Sequence, residues 1–184
     1  MSTKISLIES DKIIFKDFPK ININLINNIH EYLISLIKEN KKLKNYEDIM
    51  LSQENLIFNS KDYSFLSLKD YLLYVVKYYE LEDYILIYAL IYIERYCNET
   101  SIILTEFNIH KLLFTSILIS IKQLEDFYYN NNYYSNIIGV KNKDLNKLEY
   151  NFVTKLDFKL YVNKSEYQKY KKYIEKYMLL SKLN

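Results

Sequence analysis

A single glycine, a single proline, a single cysteine and no tryptophan leave this 184-residue chain with very little punctuation. Tight β-hairpins draw on several glycines, so their scarcity argues against a sheet protein and for a nearly all-helical one. The lone Cys97 has no internal partner for a disulfide, and neither a CxxC pair nor a histidine cluster is present to hold a metal. An intracellular protein, nuclear or cytoplasmic, without metal or cofactor is therefore expected. Arg95 is the only arginine among 25 basic residues, and the net charge is only +2. Sequence-specific nucleic-acid binding leans on arginine forks and a concentrated positive face, so no nucleic-acid partner is expected. The longest strongly apolar run, "YILIYALIYI" at 84–93, is about half of the ~20 residues that a membrane span needs, and no membrane association is expected. The N-terminus mixes acids and bases among its apolar residues, which does not read as a signal peptide.

What the chain does hold is isoleucine, leucine and tyrosine at helical spacing. After Pro19, Leu25, Ile29, Leu33 and Leu36 recur at three and four residues, with Ile26 and Ile37 alongside, and predict a helix over 22–41. The polar stretch 42–61 shows too little periodicity for an element and reads as a long connection. "SLKD" at 67–70 has the form of a capping box and starts a helix that ends near Tyr79. Residues 81–96 are apolar on nearly every side, which places that helix at the centre of a bundle. Thr105 reads as the N-cap of a helix running to about Phe127. "NNYYSNII" forms a short helix before Gly139, 144–156 forms another, and 164–180 can make one more. The expectation is one all-α domain: a bundle of five central helices with extra helices at each end and an extension over 1–20.

Two charges stand out against this pattern. On a helical wheel Lys111, Thr115, Leu118, Lys122 and Asp126 form one narrow strip. Lys122 thus sits at an edge beside Ile119 and Leu118, with its stem on apolar surface. Taken alone the strip reads as ordinary solvated surface, with an i,i+4 pair from Lys122 to Asp126. In "DLNKLEYNFVTKLDF", Leu145, Leu148, Phe152, Val153 and Leu156 define an apolar arc, and Glu149 falls inside it. A carboxylate in such a place needs a cation or donors, because desolvating it unpaired costs several kcal/mol. An internal lysine or arginine, Arg95 included, or a second chain can supply them.

"ALIYIERY", "LTEFNIHKLLFTSILISIKQLED" and "YYNNNYYSNIIGVKNKDLNKLEYNFVTKLDFKLYVN" resemble consecutive pieces of the P/U-type cyclin box, the branch that includes the phosphate-pathway cyclins. The likeness in order and spacing runs over about 67–163. It implies a single five-helix box at about 67–163 within a domain at 21–163 that includes the preceding helix, followed by a C-terminal helix at 164–184. In the family, a lysine ending the third box helix and a glutamate in the fifth bond the partner kinase near its regulatory helix. The matching residues are Lys122 and Glu149. The apolar positions that pack against that kinase helix match Ile119, Val153, Phe158 and Leu160. Arg95 matches a structural arginine of the second helix, with Glu94 in place of the usual aspartate. There is no second box, and 67–79 lacks the Met-Arg pair with which cell-cycle cyclins dock substrates. "KEN" at 38–40 would be a degradation signal in a cyclin, but in a chain so rich in these letters the match carries little weight.

The function implied is that of a regulatory subunit without catalytic activity of its own. It would form a heterodimer with a cyclin-dependent kinase, turn the kinase's regulatory glutamate toward its ATP-binding lysine and free the activation loop. Asp126 is a further candidate kinase contact: its carboxylate could hold one of the arginines that otherwise gather a phosphate on that loop. The alternative is a box that serves as a scaffold or adaptor for a non-kinase protein. A helical enzyme is disfavoured, because His30 and His110 lie on separate helices without a nucleophile beside them. Tyr128, Tyr129, Tyr133 and Tyr134 could stack nucleic-acid bases, but the near-neutral charge favours packing of the short helix.

Overall fold

The computed structural model describes residues 22–53, 57–60 and 66–177, which hold eight helices and no strand. They are α1 (Ile23–Asn40), α2 (Tyr46–Gln53), α3 (Leu68–Tyr79), α4 (Asp83–Thr100), α5 (Ile109–Leu124), α6 (Asn131–Ile138), α7 (Asn142–Lys155) and α8 (Lys164–Glu175). The protein is all-α. The extension expected over 1–20 lies outside the described residues, as do 178–180 of the expected last helix.

α4 is the axis of the bundle. Ile85, Ile87, Leu90, Ile91, Tyr92 and Tyr96 are among its nine buried residues, and it packs most extensively on α5, itself buried along Leu112, Phe114, Ile117 and Leu118. α7 lies against α5, α6 against α7, and α1 and α8 close the other side. In the absence of tryptophan, tyrosine supplies the large amphipathic side chains, with apolar bodies inside and hydroxyls that find acceptors. Tyr74 donates to the Ile137 carbonyl at 2.9 Å and Tyr79 to the Tyr134 carbonyl at 3.0 Å, stitching α3 to α6. Tyr92 donates to the Leu160 carbonyl at 2.8 Å, and Tyr96 to Asn151 at 2.8 Å while its ring stacks on Phe152.

Local signals set most helix ends. The Ser67 hydroxyl accepts the Asp70 amide at 3.1 Å and donates to the Asp70 carboxylate at 2.6 Å, so the expected capping pair is present. The long connection expected over 42–61 is corrected: it contains α2, whose first turn carries Glu47 and Asp48, favourable at the positive end of a helix dipole. Beyond α2, Phe58 is buried and meets the rings of Tyr96 and Phe152 edge-on. The α5 cap is also corrected, from Thr105 to Asn108, whose side-chain oxygen takes the Thr105 amide at 2.9 Å while its amide donates to the Ile103 carbonyl.

The glycine shortage shows at the helix C-termini. Gly139 ends α6 in the left-handed region at φ 70°, but Glu80, Ser101, Asp157 and Phe158 adopt positive φ without being glycine. After α7 the Phe158 amide bonds the Val153 carbonyl at 3.1 Å and the Asp157 amide bonds Thr154 at 3.0 Å, which is a Schellman motif with Asp157 where glycine is usual. A left-handed L-residue costs about 1–2 kcal/mol, and glycine's extra unfolded-state entropy returns part of any gain. Asp157→Gly is therefore expected to stabilise the chain by about 0.5–1 kcal/mol, seen as a melting temperature ~1–4 °C higher. A melting temperature equal to or below that of the wild type would show that the turn is not strained.

Candidate functional site

α5 delivers Lys122 in its last turn, and α7 delivers Glu149 from its middle. The two side chains meet, Lys122 Nζ donating to Glu149 Oε1 at 2.5 Å. The internal-lysine alternative for Glu149 holds, and Arg95 is not its partner. Asn131, the first residue of α6, completes the arrangement: its Nδ2 donates to Glu149 Oε2 at 2.6 Å and to Asn146 Oδ1 at 2.7 Å. Both carboxylate oxygens are thus engaged, from two different helices. The pair is half-buried, with 24% of the lysine and 21% of the glutamate side chain exposed, so it forms a fixed polar edge that still opens to solvent. Asn131 escapes a reading of the sequence because it sits in an asparagine-rich run where no single asparagine is distinguished.

The strip drawn from Lys111 to Asp126 is corrected at both ends. Thr115 and Leu118 are fully buried, and Lys111 donates to the Asn59 carbonyl at 2.7 Å, so the strip is not solvated. α5 stops at Leu124, because Glu125 turns to extended backbone at ψ 135° and accepts the Tyr84 hydroxyl at 2.5 Å. That hydrogen bond is the main reason the Tyr84 pKa is pushed up to about 12. Asp126 lies in the bend beyond, exposed and off the helix, so its expected i,i+4 bond to Lys122 is replaced by the Glu149 pair.

The apolar candidates divide by exposure. Val153, one turn after Glu149, is half-buried against the core. The left-handed turn at 157–158 swings Phe158 outward, leaving 69% of it exposed, and Leu160 follows half-buried. Ile119 is different: at 2% exposed it supports this surface from beneath and offers almost no area to a partner.

Arg95 holds the segment that carries these side chains. Its guanidinium donates to the carbonyls of Lys159 and Tyr161 at 2.9 and 3.0 Å and forks onto both oxygens of Glu166 in α8 at 2.8 and 2.9 Å. The neighbouring Glu94 accepts the Tyr170 hydroxyl at 2.5 Å, a second tie to α8. Cys97, half-buried one turn from Glu94, has its thiol pushed up to about 12, mostly by burial, and is no nucleophile at neutral pH. The Asn40 amide at the end of the "KEN" triplet donates to the Leu104 carbonyl at 3.0 Å, a structural use of that residue. No described helix is long and apolar enough to cross a membrane.

The cyclin family model matches residues 22–160, from the first turn of α1 through Leu160. The chain belongs to the cyclin family. It is similar to Cyclin-U4-1 of Arabidopsis thaliana, 32% identical over 130 residues that cover 70% of this chain and 64% of the relative. Cyclin-U2-2 of the same plant is 34% identical over 123 residues, 65% of this chain and 53% of the relative. Cyclin-P3-1 of Oryza sativa subsp. japonica is 29% identical over 160 residues, 87% of this chain and 65% of the relative. The chain spans between about half and two thirds of the length of these cyclins. Both branch names expected from the sequence, P and U, recur among the relatives.

Lysine's single ammonium cannot place one nitrogen on both Glu166 oxygens and another on two carbonyls at once, as Nη2 and Nη1 of Arg95 do. Arg95→Lys is expected to cost about 1–3 kcal/mol and to speed amide exchange selectively over 157–166, measured by hydrogen exchange. Uniform acceleration across the chain would show that Arg95 serves the whole core and not this segment.

Proposed function

We propose that this cyclin binds and activates a cyclin-dependent kinase through the edge formed by Lys122, Glu149, Val153, Phe158 and Leu160, with Asp126 beside it. The observation that carries this reading is the Lys122–Glu149 pair, fixed before any partner arrives, with an exposed Phe158 in the turn that ends α7, the helix that carries Glu149. A fixed pair meets a partner's backbone amides and carbonyls without first paying rotamer entropy, and an exposed aromatic on the same edge is a natural anchor. The kinase's regulatory helix packs on this edge, which turns its glutamate toward the ATP-binding lysine and frees the activation loop. Asp126, free of the helix, reaches an activation-loop arginine.

Truncating either member of the pair strands the other charge and confuses folding with binding. The discriminating variant is the exchange Lys122→Glu with Glu149→Lys, which keeps the internal pair and reverses its polarity toward a partner. The exchanged protein is expected to melt within a few degrees of the wild type. It should lose more than about a hundredfold in affinity for the kinase recovered by affinity purification of the wild-type chain from its native cells. Retained affinity would make the pair a structural staple only. Should the exchange fail to fold, Phe158→Ala supplies the test, with the expectation of weaker binding at an unchanged melting temperature. Asp126→Asn is expected to lose most activity with unphosphorylated kinase and less with phosphorylated kinase; equal activities in both would remove Asp126 from the contact.

A further inference from the structure

A cavity of about 500 Å³ opens beside the end of α5, between the C-terminus of α3, the N-terminus of α4 and the start of α6. Its walls are mostly tyrosine and glutamate, over a floor that includes Leu81, Ile85 and Ile121. Tyr129 and Tyr133 stack at 4.0 Å and 26°, Tyr78 also lines the cavity, and Glu80, Glu82 and Glu125 supply three carboxylates. No lysine, arginine or histidine lines it among the described residues. Lys122, Glu149 and Asp126 do not line it, but Glu125 and Phe127 on either side of Asp126 do, so it adjoins the proposed kinase edge without sharing its charged pair. The tyrosines expected to pack the short helix divide accordingly: Tyr134 is buried, while Tyr128, Tyr129 and Tyr133 remain exposed at the cavity.

Aromatic faces and carboxylates that no cation lines among the described residues form a site for a positive group. Guanidinium suits such walls better than ammonium does, because it is planar, weakly hydrated, stacks on aromatic rings and forks onto carboxylates. The volume lies within the range of ligand clefts and exceeds the needs of one side chain, leaving room for backbone on either side of it. We propose that this cavity receives an arginine side chain from an extended segment of a partner protein. The guanidinium stacks on the Tyr129–Tyr133 pair, and its charge is met by Glu82 and by Glu125, whose Oε1 also accepts the Tyr84 hydroxyl.

The test titrates the full chain with a blocked Gly-Arg-Gly peptide, its lysine and citrulline counterparts and free arginine, while the tyrosine ring resonances are followed by NMR. The arginine peptide is expected to shift the Tyr129 and Tyr133 rings saturably, the lysine peptide to bind at least about fivefold more weakly, and the citrulline peptide not to saturate. Tyr129→Ala and Glu82→Gln, both at exposed positions, should each weaken the arginine peptide about tenfold or more with an unchanged melting temperature. Equal binding of the citrulline peptide would make the cavity merely apolar, and tighter binding of free arginine would assign it to a small cation; either overturns the proposal. So does a failure to saturate, or indifference to both substitutions. Phe158→Ala, which weakens the kinase edge without lowering the melting temperature, leaves this titration unchanged, so its outcome stands apart from that of the kinase edge.

Discussion

The segment that joins α7 to α8 in this cyclin, and the exposed edge it carries, hang on one guanidinium. Arg95 leaves the second helix of the box and grips the backbone on either side of Leu160 and the first turn of α8. Without it the connection between α7 and α8 would keep, among the described residues, a single hydrogen bond to α4, the Tyr92 hydroxyl on the Leu160 carbonyl. That stretch has no secondary structure of its own between Leu160 and Asn163, so nothing local fixes it. A lysine-rich chain that retains a single arginine has placed it where a planar, five-donor group has no substitute.

Around that anchor the structure relies on tyrosine hydroxyls and carboxylates to join helices that glycine-poor turns cannot bring closer. Tyr74 and Tyr79 fasten α6, Tyr84 fastens the end of α5, and Tyr170 joins α8 to Glu94. These links are few, polar and specific. They fix the relative position of helices whose apolar surfaces would tolerate more than one register, because hydrophobic burial is not directional and a hydroxyl donor is.

Much of this was legible in the sequence where the cause is local. The Ser67 cap, the apolar stripe of α1 and the all-round apolarity of α4 each follow from residues within a turn or two of one another, and the structure places them accordingly. The misreadings have distant causes. α5 ends at Leu124 because Glu125 takes a hydroxyl from Tyr84, 41 residues earlier, which no helical wheel contains. α2 is short and weakly amphipathic, so periodicity is silent over it. Lys122 and Glu149 were each conspicuous, one at the edge of a stripe and one inside a stripe. That they satisfy one another depends on α5 and α7 lying side by side, and that Asn131 locks them depends on α6 as well.

The internal pairing of Lys122 with Glu149 also bears on how quickly a partner can find this protein. Two opposite charges 2.5 Å apart present a dipole to an approaching molecule, and a dipole's field dies away faster with distance than that of a lone charge. With a net charge of only +2 behind it, such an edge exerts little long-range pull. Encounter through it is governed by ordinary diffusion and orientation, and ionic strength has little leverage on the association rate. The selectivity of the contact then resides in how long a correctly seated partner stays.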